Sequence, residues 1–154
     1  MYTKDELRQL RTDFWNQFKV KMQKIKSSNG RKMNWLAYPS DVKDIYIRID
    51  ADGKGARLTF DIQGKDEGVR QILWEQLQEL KAVMESEMGT DGVWIENAST
   101  PSVPNFHRIV WERNDLNFFK PEDHAEIQRF LADRLVHFDA FYQEFKDILI
   151  NLAM

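Results

Sequence analysis

Residues 45–62, IYIRIDADGKGARLTFDI, alternate apolar and polar side chains on both sides of a glycine-rich centre. Ile45, Ile47 and Ile49 share one face of the first half, with Tyr46, Arg48 and Asp50 on the other. In the second half Leu58, Phe60 and Ile62 lie opposite Arg57, Thr59 and Asp61. Successive side chains of a strand point to opposite faces, so this segment reads as an antiparallel pair with one covered and one wet face. Asp52-Gly53 is the turn signal. A two-residue type I′ turn there sets Ile49 against Ala56, Ile47 against Leu58 and Ile45 against Phe60. The same register places Arg48 opposite Arg57 and Tyr46 opposite Thr59 on the wet face. Like charges directly across a strand pair repel, so something should compensate them. Either Asp50 and Asp61 neutralise the pair, or the two guanidinium forks hold an acidic ligand or a partner's carboxylate, with Tyr46 and Thr59 as hydroxyl donors.

The chain has 154 residues, which fits one domain spanning 1–154 and large enough to bury a core unaided. It has no cysteine, which rules out disulfides, thiolate metal sites and a cysteine nucleophile. The first ten residues, MYTKDELRQL, contain no apolar run of the signal-peptide kind, and no stretch approaches the roughly 20 apolar residues of a membrane span. The expectation is a cytoplasmic protein that makes no membrane contact. Charge is unevenly spread. Residues 1–35 hold nine Lys/Arg against three Asp/Glu, and the rest of the chain is acidic. A basic end can meet an acidic partner, or the two ends can simply attract each other.

Residues 5–26 carry Leu7, Leu10, Phe14, Phe18, Met22 and Ile25 on one helical stripe, with Thr3 or Asp5 as cap and Ser27-Ser28-Asn29-Gly30 as the stop. Arg8, Lys19 and Lys26 form a row along one flank of that helix beside Trp15. Such a row suits a phosphate backbone with a stacking aromatic, and it is also what a solvated face of snorkelling side chains looks like. Residues 30–44 connect to the hairpin, with Trp35 and Tyr38 as anchors and Pro39 forcing an extended path.

Beyond the hairpin, Asp66 caps a helix predicted to run unbroken to Gly89 on the stripe Val69, Ile72, Leu73, Leu77, Leu80, Met84 and Met88. Val93–Glu96 and Phe106–Glu112 read as a second strand pair, widely connected because Pro101 and Pro104 lie between them. Pro121 starts a final helix to about residue 152, striped by Ile127, Leu131, Phe138, Phe141, Tyr142, Phe145, Leu149 and Leu152. Arg134 interrupts that stripe, where a charge needs a carboxylate, the rim or a bound anion. The order is α-ββ-α-ββ-α. It predicts a two-layer α+β fold, with an antiparallel sheet of about four strands and three helices on one face.

Site chemistry is sparse. His107, His124 and His137 lack the spacing and companions of a zinc site, and no metal or cofactor is expected. No serine elbow or glycine-rich phosphate loop is present, and the Glu79-Leu80-Lys81 and Glu144-Phe145-Lys146 pairs lie on helices instead of strands. Phe14-Trp15-x-x-Phe18, Trp35 with Tyr38, the alternating hairpin, the helix after Asp66, Val93-Trp94 and Arg108-Ile109-Val110-Trp111 follow one another along almost the whole chain. Together they resemble the bacterial domain of unknown function family numbered 4268. In some members of that family a similar domain follows a nuclease-like one, so the resemblance implies company with nucleic acid.

The leading expectation is a non-enzymatic binding or interaction module. Its polar sheet face would meet a protein, an acidic ligand or a further copy of the chain through Tyr46, Arg48, Arg57 and Thr59, with Arg134 as a further anion contact. The alternative is a nucleic-acid-associated accessory domain using Arg8, Trp15, Lys19 and Lys26. A small-molecule enzyme comes third.

Overall fold

The computed structural model describes residues 1–154. Helix α1, Lys4–Gln23, opens with a reciprocal capping box. The Thr3 hydroxyl accepts from the Glu6 N–H at 3.1 Å, and Glu6 Oε1 accepts from the Thr3 N–H at 3.2 Å. The helix buries Phe14, Phe18 and Met22, whereas Leu7 and Leu10 are half-buried and Ile25 is exposed, so the predicted stripe is deep only at its centre. A 3-10 turn at Trp35–Ala37 leads to strands β1, Ile45–Asp52, and β2, Gly55–Ile62. Helices α2, Glu67–Glu79, and α3, Lys81–Met88, precede strands β3, Val93–Ala98, and β4, Phe106–Arg113. A second 3-10 turn, Pro121–Asp123, introduces helix α4, His124–Ala153.

The fold is α+β, with one antiparallel sheet in the order β1-β2-β4-β3. Four helices replace the predicted three, because the chain breaks between α2 and α3 at Leu80 (φ −90°, ψ 0°). The Leu80 N–H reaches the Gln76 and Leu77 carbonyls at 3.2 and 3.1 Å, a tightened turn that no Gly or Pro announces. Helix α3 then ends on Gly89 in the left-handed region, as predicted from its place after the apolar stripe.

The hairpin keeps its predicted faces but not its register. Ile45 pairs with Ile62, Ile47 with Phe60 and Ile49 with Leu58, a slip of two residues from the expected pairing. The turn residues are Gly53 and Lys54, closed by an Asp52 side chain that accepts from the Lys54 N–H at 2.8 Å. Positive φ falls on neither of them but on Gly55, at +137°. A Cβ at Gly55 would sit 1.9 Å from the Arg113 carbonyl oxygen, so β4 tolerates only glycine at the start of β2. Arg48 therefore faces Thr59, and Arg57 faces Asp50. The expected arginine pair does not exist.

Helices α4 and α2 cover the Ile45/Ile47 and Leu58/Phe60/Ile62 face, and α1 and α3 join that side by packing on α4. One cluster of 29 buried residues makes the core. At its centre the Phe60 ring meets Phe138 and Tyr142 edge-on, with centroids 5.3 and 5.8 Å away.

A second bond set ties the connector to α4. The Asp139 carboxylate is buried and accepts from the Tyr38 hydroxyl at 2.6 Å, the Ser27 hydroxyl at 2.9 Å and the Ser28 N–H at 2.7 Å. Burial and the Asp139 carboxylate push the Tyr38 hydroxyl pKa far up, so it stays a donor. Tyr142 adds a 2.6 Å bond to the Ser40 carbonyl.

Candidate interaction surface

No helix covers the other face of the sheet. Reading across it, Tyr46, Asp61, Arg108 and Ile95 form one row, and Arg48, Thr59, Val110 and Val93 the next. Asp50, Arg57 and Glu112 form a third. Arg57 is the best satisfied of these residues. Its Nε donates to Glu112 at 2.6 Å, Nη2 to Asp52 at 2.9 Å, and Nη1 to Asp50 at 3.2 Å. Burial pulls its pKa down, but the hydrogen bonds to Asp52 and Glu112 outweigh it and the net direction is up. The Arg57 bonds also hold the Asp52 carboxyl below the usual range. This fork is spent on the protein's own carboxylates.

Asp61 is fully buried on this face, beneath a bidentate Arg108 at 2.7 and 2.8 Å. Arg48 is different. Its side chain is 53% exposed, its nearest carboxylate contact is Asp61 at 3.9 Å, and its guanidinium stacks 4.3 Å above the Tyr46 ring. It stands at the margin of the sheet with most of its donors free. Thr59, its partner across the β1–β2 pair, is buried at 7% exposure.

Arg134 lies away from this corner. Its Nη1 donates to the Met88 carbonyl at 2.6 Å, a cation closing the C-terminal end of α3. Desolvation lowers its pKa. It lines a cavity of about 330 Å³ with Arg113 and Arg129, whose guanidinium groups are held by Glu126, Arg113 also by Asp115.

On α1, Arg8 is exposed and reaches only Asp5, at 3.5 Å. Trp15 is half-buried, edge-on to Phe14 at 4.8 Å and to Phe18 at 6.0 Å, so its ring belongs largely to the core margin. Lys26 is exposed just past the helix end. Lys19 lines a groove of about 430 Å³ with Lys32, Met22, Met33 and Trp35.

That groove meets another at Leu36. The second, about 500 Å³, runs between the Leu36–Ser40 segment and residues Ile45–Ile49 of β1. Together the two linings contain Lys19, Lys32 and Arg48 and no carboxylate, in a protein with 25 Asp/Glu. β1 is an outer strand of the sheet. The Gln63 N–H bonds the Asp44 carbonyl at 2.8 Å, so even-numbered β1 residues face β2. By the antiparallel alternation, the N–H and C=O groups of Ile47 and Ile49 point out along the free edge. The other outer strand, β3, is broken by a register shift between Ile95 and Ala98 and by Asn97 at φ 53°, a device that blunts an edge.

Sequence reading missed Lys32 and the β1 edge, because the groove joins residues from three separate segments. No group of three or more His, Cys, Asp or Glu is arranged to hold a metal ion, and no helix is long and apolar enough to cross a membrane.

Fold and surface together define an α+β domain whose sheet is open on one side and bordered by a basic groove. The chain belongs to the family described as a domain of unknown function (DUF4268), whose model matches residues 10–146. No curated protein and no solved structure matches it.

Proposed function

We propose that the domain is a non-enzymatic interaction module that takes an extended, acidic segment of a partner protein along β1. The observation carrying this reading is the carboxylate-free groove along the unpaired β1 edge, which holds Arg48, and the second carboxylate-free groove, with Lys19 and Lys32, that shares Leu36 with it. An added strand gains main-chain hydrogen bonds from the edge, while its acidic side chains meet Arg48 on the open face and the alternate apolar ones turn to the Ile45/Ile47/Ile49 side. Tyr46 holds the Arg48 guanidinium flat against the sheet margin, which limits the ordering cost of a contact there. The remaining polar face, led by Arg57 and its carboxylates, is the rigid floor beside it. The fold needs no disulfide, which is compatible with a cytoplasmic setting.

A titration with a heptapeptide of alternating Glu and Val tests this. Saturable binding is expected, with amide shifts at Ile47 and Ile49. Arg48→Glu should weaken it about tenfold or more, roughly 1.4 kcal/mol, without moving the melting transition. Equal binding of the alternating Lys and Val peptide would refute the reading.

Lys19 in a carboxylate-free groove also supports the nucleic-acid reading, in which Arg8, Trp15, Lys19 and Lys26 meet phosphates. Its mark is different. A single-stranded oligonucleotide would bind at low salt where the acidic peptide does not, and each cation replaced would flatten the salt slope by about one unit.

A further inference from the structure

A further concave site shares no residue with these grooves. It is a cavity of about 300 Å³ between the start of α2, the turn before β1 and the end of α4, and Arg70 lines it. Arg70 is only 8% exposed. Its Nη1 donates to the Gly64 carbonyl at 2.6 Å, its Nε is buried with no partner, and it forms no salt bridge. Leaving a guanidinium so buried without a counter-charge is costly, and an anion from outside would relieve it.

The cavity's own acids are mostly committed. Asp41 holds Lys146 at 2.8 Å, and Asp66 caps α2 by accepting from the Val69 N–H at 3.1 Å. That leaves Asp44 against Lys43, Lys65 and Arg70. The first-turn N–H groups of Glu67 and Gly68 have no partner in the protein, so the helix terminus adds positive potential at the mouth. The rest of the lining includes apolar Ile62, Leu73 and Ile150. At about 30 Å³ per water the space equals roughly ten waters, enough for a small organic acid.

We propose that this cavity binds a small amphipathic carboxylate, its head on Arg70 and the α2 N-terminus and its tail against Ile62, Leu73 and Ile150. The full chain is titrated with octanoate while backbone amides and the Arg70 Nε–H are followed by NMR. Octanol serves as the uncharged control and inorganic phosphate as the tailless one. The expected result is saturable octanoate binding that shifts Gly64 and Arg70, with octanol and phosphate each weaker by about tenfold or more. Arg70→Met should weaken octanoate by a similar factor. Should that variant not fold, Ala153→Phe narrows the cavity from the apolar side and is expected to weaken octanoate while the Arg70 signal persists. Octanol or phosphate binding as tightly as octanoate, no saturable shift at millimolar octanoate, or undiminished affinity in a folded variant overturns the proposal.

Discussion

Phe60→Ala is expected to lower the unfolding free energy by about 3–5 kcal/mol, the range for truncating a buried phenylalanine. Phe60 is 1% exposed on the central strand β2 and meets both Phe138 and Tyr142 of α4. Its loss removes the aromatic contact that locks α4 to the sheet, and neither ring can follow the void while β4 fixes the strand on the other side. A urea melt with unchanged slope and a lower midpoint is the expected record. A loss under about 1 kcal/mol would mean that the core face carries far less packing energy than its burial implies.

Asp139→Ala should be nearly as severe, for a different reason. Its carboxylate is the common acceptor for Tyr38, Ser27 and Ser28, across more than a hundred residues of chain. Removing it leaves two buried hydroxyl donors without an acceptor, each costing about 1–3 kcal/mol, so a loss of about 3 kcal/mol or more is expected. Tyr38→Phe alone should cost about 1–2 kcal/mol, since Asp139 keeps its other donors. Because the two act on one bond set, the double variant should fall short of the sum by at least about 0.5 kcal/mol. Strict additivity in that cycle would show that the Tyr38 bond contributes nothing to stability.

The hairpin shows what was legible and what was not. Period-two alternation identifies the covered face, and Phe60 lies buried on it. Register is another matter. A slip of two residues returns every side chain to the same face, so the apolar pattern is indifferent between the predicted and observed pairings. The turn decides, and Asp52 closes it with its side chain instead of occupying a left-handed turn position. The demand for glycine at Gly55 comes from Arg113, which lies on a strand far away in sequence. That slip converted an imagined arginine pair into an Arg57–Asp50 contact and left Arg48 as the exposed cation.

The same limit hid the sites. Lys19, Lys32 and Arg48 sit on a helix, a connector and a strand, and only the fold brings their grooves together. Arg70 reads as an ordinary polar position of α2 until its burial is known. The break at Leu80 was invisible because leucine continues the apolar stripe through it.

Asp139 and Phe138 have a consequence during synthesis. Ser27, Tyr38 and Phe60 each have a partner on α4, the last helix of these 154 residues to leave a ribosome. Until it emerges, the hairpin can pair locally, but its apolar face and the free β1 edge stay open to other chains. Folding of this domain is therefore expected to wait for α4. A nascent chain stalled before His124 should bind a hydrophobic dye and be cut readily by protease, and release of α4 should abolish both together. Protection appearing before α4 is available would show that the sheet can settle without it.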